Sequence, residues 1–333
     1  MKNIFKKLYF SLLLIVFTSL FAYSQKIDSS YVIGEFVITK VVDGDTFKFD
    51  KLDKSTRLLG IDTEETFKDK NAQQKSFDLS LIWPKEYFSE QDKIQTKYPI
   101  KIDSPFGYDT WMWAKEFVKD AKSVRLEIES TDRIIDTYGR YLVYMFLNID
   151  GKYINYNIEC VKRGYSAYYT KYGYSKRFHK EFLEAQQYAR KNKLGIWNPE
   201  SKCYPDYEQR IIWWNKRADQ IEKFENEFAQ MENAFNLMNN NELQKLGNFL
   251  GKEIIILGNV TEVFVDKDPA LIRINISKGV NFDLVFMGEK KEILNDYNLD
   301  DLKEYFICSK GVLSVFRDTY QIIIEDKSQI WMY

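Results

Sequence analysis

Alternating apolar and polar residues predict five strands in the first half of the chain, because successive side chains of a strand point to opposite faces. Two strands are expected within residues 31–50, joined at an Asp-Gly turn, and a third covers 56–61. Two more follow at 124–129 and 141–148. An Asp-Gly pair between apolar runs is a strong hairpin signal, so the first two strands are expected to pair.

Apolar residues spaced by three and four predict three helices around these strands. The helices cover 108–121, 155–163 and 178–193. Gly164 follows the second helix directly, and glycine is the preferred residue just past a helix end. Strands and helices together place this part of the chain in the α+β class.

Residues 67–107 interrupt the pattern and form an insertion. The segment is polar, contains three prolines and has no sustained periodicity, so we expect irregular structure. Its large aromatic residues either cover a bound ligand or form a small separate core. These residues are Trp83, Tyr87, Phe88 and Tyr98. Long loops in compact domains are often functional.

A long apolar stripe follows the first unit. Apolar residues recur at steps of three and four across 206–246, which predicts one long helix or a helical pair broken near 239–241. Asp206 is a suitable N-cap. The stripe is expected to be buried, either against a domain of the same chain or in a coiled-coil dimer.

Residues 253–333 form a second β-rich unit. The pattern predicts three strands, a helical stretch at 292–305 and two final strands. These strands cover 254–265, 271–277, 282–286, 306–315 and 320–325. This order looks like a second, smaller OB-type barrel, and the closing strands are similar to OB modules that bind nucleic acid.

The length of 333 residues suffices for two domains with separate cores. We divide the chain into a signal peptide (1–24), a first domain (31–200), a helical linker (205–248) and an OB-like domain (250–333). The N-terminus has early lysines, a short apolar run and the small-residue site Ala22-Tyr23-Ser24. The run is shorter than the roughly 20 residues that cross a bilayer, so we expect a secreted or periplasmic protein without stable membrane insertion. A retained anchor is the alternative.

Charge and cysteine content narrow the function classes. A formal net charge of −1 argues against a uniformly basic surface. However, residues 162–193 carry nine lysines and arginines against two glutamates. That stretch either faces a polyanion or is a solvated helix face. The three cysteines, Cys160, Cys203 and Cys308, have no zinc-site spacing and form no disulfide framework.

Three short stretches carry the candidate chemistry. Residues 40–46 read KVVDGDT, 56–66 read TRLLGIDTEET and 131–142 read TDRIIDTYGRYL. The first two place carboxylates at the ends of strands, and the last two supply arginines. The planar fork of arginine binds two phosphate oxygens at once. Carboxylates suit a hard cation such as calcium, so these stretches favour a site for a phosphate and a metal.

In this order, and with 194–197 reading LGIW, the stretches resemble the staphylococcal nuclease (thermonuclease) family. The resemblance covers roughly residues 31–197. It implies a five-stranded OB-type barrel with three helices. It also implies a calcium-dependent enzyme that hydrolyses DNA and RNA with low sequence preference and leaves 3′-phosphate ends.

The resemblance also implies roles in catalysis and substrate binding. Arg57 and Arg140 would clamp the phosphate, where negative charge grows during the reaction. Glu65 would orient the attacking water or accept its proton. Tyr138 and Tyr172 would contact the substrate. The family uses two tyrosines after its second helix.

One of the tyrosine positions departs from the family pattern. Thr170 stands where one of those two tyrosines is expected, and Tyr168 or Tyr169 substitutes for it after a small shift. That departure affects base preference. His179, the only histidine, is expected to do no chemistry.

The implied metal site would use Asp45, Asp62 and the backbone carbonyl of Thr63 as calcium ligands. Asp43 would hold these ligands in place without contacting the metal itself. Where the family has proline, this chain has Glu64. An extra acid there would either tighten cation binding or repel substrate.

Two other classes of function remain open from the sequence. One is a non-catalytic module that binds nucleic acid or protein with the same barrel. The other is a tethered scaffold that works through the helical stripe and the second barrel, with a possible dimer through residues 206–246.

Overall fold

The computed structural model describes residues 29–277 and 279–333, so the predicted signal peptide lies outside the described residues. The strands are β1 (Val32–Phe36), β2 (Ile38–Val41), β3 (Phe47–Phe49), β4 (Thr56–Leu58), β5 (Ser123–Ile128), β6 (Tyr141–Ile149), β7 (Lys152–Asn155), β8 (Ala234–Asn236), β9 (Glu253–Phe264), β10 (Ala270–Ser277), β11 (Val280–Phe286), β12 (Phe306–Phe316), β13 (Thr319–Ile323) and β14 (Ile330–Trp331). The α-helices are α1 (Ala72–Ser80), α2 (Lys85–Ile94), α3 (Pro105–Val118), α4 (Tyr156–Lys162), α5 (His179–Lys191), α6 (Tyr207–Glu227), α7 (Asn240–Leu246) and α8 (Leu299–Glu304). Short 3₁₀ helices cover Ser29–Tyr31, Gly195–Trp197, Gly247–Phe249, Gly288–Asp296 and Lys327–Gln329.

The first barrel is built on β6. This strand pairs antiparallel with β5 and β7 and parallel with β4, while β1 pairs with β5. The hairpin of β2 and β3 packs beside them. Side chains of these strands fill the core together with residues of α3, α4 and α5, and β6 is buried along most of its length. The predicted OB-type barrel with three helices is confirmed.

The second barrel closes on itself. Strand β9 pairs with β10, β10 with β11, β11 with β13, β13 with β12, and β12 again with β9. Ile256, Ile272, Leu284, Leu313 and Ile322 are fully buried inside this ring. The predicted second OB-like barrel is therefore confirmed. Strands β8 and β14 add to its edges.

The single long helix predicted over 206–246 is wrong, and the helical pair predicted as its alternative breaks at Glu227 rather than near 239–241. Helix α6 ends at Glu227, and β8 follows. Phe235 and Leu237 enter the second core from this strand. Phe235 and Met238 fit the helical spacing, but the parallel pairing of β8 with β9 decides the local structure. Asp206 occupies the N-cap position of α6, as predicted, but its side chain makes no capping hydrogen bond and instead accepts from Nε of Arg210 (2.6 Å).

Helix α6 lies between the two barrels and bonds to both. Gln220 accepts from the backbone N of Phe306 (3.2 Å) and donates to its carbonyl (3.3 Å). The guanidinium of Arg217 binds the carbonyl of Lys171 (3.1 Å) and Oδ1 of Asn259 (2.7 Å). The apolar side of α6 is thus buried within the chain. In a dimer, a second copy of the chain could contact only the exposed side chains of this helix, such as Ile212. Within the described residues, no helix combines the length and hydrophobicity that spanning a bilayer requires.

The insertion was predicted to be irregular, and this prediction is wrong. The segment forms the helices α1 and α2. Few side chains of these helices are buried, so their sequence carries little helical periodicity. Trp83 and Tyr87 pack with Tyr204 and Tyr207 in a core of their own, while Phe88 is exposed. Of the two roles proposed for the aromatic residues, a separate core therefore holds for Trp83 and Tyr87.

Candidate active site

The loop that follows β4 is held tightly between two other segments. A Cβ atom on Gly44 would lie 2.5 Å from Thr110 and 2.8 Å from Thr63. One on Gly107 would lie 1.9 Å from the carbonyl oxygen of Glu65. Only glycine permits both close approaches. The DGDT turn and the first turn of α3 therefore both pack tightly against the acidic loop, residues 59–66.

Arg57 connects two of the predicted metal ligands. Its Nη1 lies 2.7 Å from Oδ1 of Asp45, and its Nη2 donates to Oδ1 of Asp62. The other oxygen of Asp45 accepts from the backbone N of Thr63 (2.8 Å). Burial lowers the pKa of Arg57, but the two carboxylates outweigh burial and raise it well above its ordinary value. The guanidinium is therefore a permanent positive charge in a largely buried site.

Lys101 is a site residue that the sequence analysis missed. It comes from the insertion, and its Nζ lies 2.6 Å from Oδ1 of Asp62. Burial raises the pKa of Asp62, yet Lys101 and Arg57 together lower it to about 2. Asp62 is thus ionised at physiological pH. No local sequence motif predicts the role of Lys101, because it lies 39 positions from its partner Asp62 along the chain.

Asp43 and Glu65 lie beside this pair. Oδ1 of Asp43 accepts from the backbone N of Asp45 (3.2 Å), which suits a supporting role. Burial and the nearby carboxylate of Asp45 raise the pKa of Asp43. Burial raises the pKa of Glu65, and Asp45, Asp43 and Asp62 raise it further. Carboxylates that disfavour each other's charge in this way are typical of functional sites.

The donor chemistry of this cluster fits a hard cation, since carboxylate and carbonyl oxygens are the ligands calcium prefers. Burial and the neighbouring carboxylates raise the pKa values of Asp43 and Glu65, so a cation beside them would favour their ionised forms. The geometry of the cluster fits a metal site less well than the chemistry of its oxygen ligands does. Within the described part of the chain, no three acidic, histidine or cysteine side chains converge as a metal-binding group. Arg57 and Lys101 already hold Asp45 and Asp62.

Glu64 has neither of the roles considered for it. Its side chain is buried, accepting from the backbone N of Tyr204 (2.7 Å) and from the hydroxyl of Ser104. Burial raises its pKa to about 7. Glu64 therefore ties the acidic loop to the start of α3 and to the segment before α6.

Arg140 is oriented within its turn by Asp136. Its Nε and Nη2 both lie 2.7 Å from Oδ2 of Asp136, and its backbone N donates to Oδ1 (2.9 Å). The guanidinium lies 5.3 Å from the ring centre of Tyr138, which is highly exposed. Arg140, Tyr138 and Arg57 line the same cavity, of about 380 Å³. The structure thus brings the two predicted phosphate-binding arginines to one space.

The tyrosines that line this cavity are the ones placed to contact a ligand. Tyr172 lines it and is 41% exposed, as predicted for a substrate-binding residue. Tyr169 lines it too, with its ring 5.6 Å from the guanidinium of Arg57. Tyr168 instead stacks on Phe182 in the core, although its edge reaches the cavity. Of the two alternatives left open by the sequence, Tyr169 is the better placed.

Comparisons with known proteins agree with this geometry. A family model described as staphylococcal nuclease homologue matches residues 55–199. An uncharacterized protein of Methanocaldococcus jannaschii is 32% identical over 165 residues, which are 48% of this chain and 70% of that protein. A thermonuclease of Staphylococcus intermedius is 27% identical over 175 residues, which are 52% of this chain and 82% of the relative. The matched range of the family model includes Arg57, Asp62, Glu65 and Arg140.

Proposed function

Since this chain belongs to the staphylococcal nuclease homologue family, we propose that it is a calcium-dependent nuclease acting on DNA and RNA. We infer low sequence preference, 3′-phosphate products and export through the N-terminal signal peptide. The observation that carries the proposal is the position of Arg57. It binds Asp45 and Asp62 of the acidic cluster and lines the cavity that also holds Arg140.

The two arginines supply the main electrostatic effect. Negative charge grows on the phosphoryl oxygens when water attacks phosphorus, and fixed positive charge stabilises that transition state. Arg57 is permanently charged, and Arg140 is held in place by Asp136. A phosphate in the cavity would meet both guanidinium groups, each able to bind two oxygens.

Glu65 is suited to accept the proton of the attacking water. Its raised pKa makes it a stronger base than an ordinary glutamate. The bond from phosphorus to the 5′ oxygen then breaks and that oxygen takes up a proton from water, which leaves a 3′-phosphate and a 5′-hydroxyl. Asp45, Asp62 and the carbonyl of Thr63 would hold Ca²⁺, whose chemistry is to place positive charge on a phosphoryl oxygen.

The test is cleavage of labelled single-stranded DNA and RNA by the mature chain, with calcium and with a chelator. Arg140→Ala is expected to lower kcat/KM by at least about a hundredfold, since one charge-stabilising donor is typically worth that much. Arg163→Ala is the matched control. Its side chain also pairs with a carboxylate four residues away, Glu159, but lies outside the cavity.

Each outcome has a clear meaning. Calcium-dependent cleavage that is lost in Arg140→Ala and kept in Arg163→Ala supports the proposal. Full activity in chelator rejects the metal role. A folded chain that binds nucleic acid but never cleaves it points to the non-catalytic binding module.

A further inference from the structure

The cavity that holds Arg57 and Arg140 lies between the two barrels. Its second wall comes from the C-terminal barrel, where Asn259 and Thr261 on β9 and Asn275 on β10 face it. A volume of about 380 Å³ falls in the range of small-ligand sites. This wall lies outside residues 55–199, so it is an addition of this chain to the family domain.

Arg133 is the first feature that points to a ligand. It lines the cavity, donates to the carbonyl of Tyr172 (3.0 Å) and lies 5.6 Å from the ring centre of that tyrosine. Arg57 and Arg140 each bind a carboxylate, whereas Arg133 forms no ion pair with any residue the structure describes. Burial lowers its pKa, against smaller opposing effects of Tyr172 and Asp136. A phosphate can take two parallel hydrogen bonds from such a guanidinium.

Asn275 is the second feature, from the opposite wall. Its Oδ1 is buried and has no hydrogen-bond partner among the described residues. A buried acceptor without a donor is rare in native structures and calls for a partner. The exocyclic amino groups of nucleobases are such donors. The two walls thus offer a phosphate site and a base acceptor across one cavity.

Resting on the proposed function, we propose that this cavity binds single-stranded nucleic acid next to the scissile phosphate. Arg133 holds a phosphate of the strand, and Asn275 accepts a hydrogen bond from a base. Tyr169 and Tyr172 offer rings for stacking, a common feature of single-strand binding sites. A base in this enclosed space must be unpaired, so duplex substrates have to open first. The C-terminal barrel therefore selects single strands.

The experiment measures binding separately from cleavage. A fluorescent 12-nucleotide DNA strand and a hairpin duplex of the same sequence are titrated with the full chain in chelator, by anisotropy. The variants are Arg133→Gln and Asn275→Ala, with Lys119→Gln as the control, because Lys119 is exposed, pairs with Glu116 and lies outside both the cavity and the basic stretch 162–193. Thermal unfolding verifies that each variant is folded.

We expect wild type to bind the single strand at least about tenfold more tightly than the hairpin. Arg133→Gln should weaken single-strand binding about tenfold. It should also reduce the slope of log Kd against log salt by about 0.7, the value of one phosphate contact on a single strand. Asn275→Ala should weaken binding without changing that slope, because it removes no charge. Lys119→Gln should bind as wild type does.

Equal affinity for strand and hairpin, or a wild-type Kd and salt slope in Arg133→Gln, would overturn the inference. Cleavage of the same strand in calcium is measured in parallel. A wild type that binds as expected but never cleaves keeps the single-strand site and rejects the nuclease. A wild type that cleaves while Arg133→Gln binds normally keeps the nuclease and rejects this site.

Discussion

Replacing Glu64 by glutamine should make the protein more stable at alkaline pH. The carboxyl of Glu64 is 2% exposed, and burial raises its pKa from 4.5 to about 7. Between these values the folded chain keeps the proton and the unfolded chain releases it. The folded state then binds more protons, so the free energy of unfolding falls as pH rises through this window.

The size of the effect follows from the two pKa values. A tenfold change in proton affinity is worth about 1.4 kcal/mol, so the ionised carboxylate costs the folded state about 3 kcal/mol above pH 7. Glutamine stays neutral at every pH. Its carbonyl can accept from the backbone N of Tyr204, and its amide can donate to the hydroxyl of Ser104, so both contacts of Glu64 are kept.

The assay is urea unfolding at pH 4.5, 6, 7 and 8, followed by tryptophan fluorescence. Trp83 stacks on Tyr204 beside Glu64 and reports on this region. We expect Glu64→Gln to match wild type at pH 4.5 and to exceed it by up to about 3 kcal/mol at pH 8. Glu184→Gln removes an exposed carboxylate as a control. A stability difference that is the same at every pH would refute the reasoning.

Three further variants test other contacts. Lys101→Met removes a positive charge from Asp62 and should tighten calcium binding at least about tenfold in calorimetric titration, since nearby like charges repel by a few kcal/mol; an unchanged affinity would show that Lys101 does not compete with the cation. Arg217→Met leaves buried acceptors on both barrels unpaired and should cost at least about 3 kcal/mol in urea unfolding, with faster proteolysis between the barrels. Tyr169→Ala should weaken single-strand binding by about 1–3 kcal/mol in anisotropy titrations while Tyr169→Phe does not, so equal loss in both would argue against stacking.

The first barrel and the local part of the site were predictable from the sequence. Arg57, Asp62 and Glu65 lie within nine residues, so one strand and its turn carry them together. Strand β5 alternates apolar and polar residues in its sequence and β6 is a nearly continuous apolar run, and both strands are buried over most of their length. Short-range spacing was sufficient for these features, because the physical cause of each lies in the same segment.

Features that depend on distant segments were not predictable. Lys101 reaches Asp62 only because the insertion folds back over the loop, and α1 and α2 bury too few residues to show periodicity. The choice of Tyr169 over Tyr168 rests on which ring enters the core beside Phe182. Strand β8 depends on pairing with β9, a partner that local propensity does not reveal.

The charges around the acidic loop show why the insertion matters for the chemistry. The carboxylates of Asp45 and Asp62 need positive charge, and Arg57 provides it only while no phosphate draws its guanidinium away. Lys101 supplies a second cation at Asp62 that does not line the cavity. Arg57 can then turn toward a phosphate without leaving Asp62 unpaired in a buried place, which would be costly. In the proposed reaction, the insertion thus supplies the cation that stays on Asp62 when Arg57 binds the substrate phosphate.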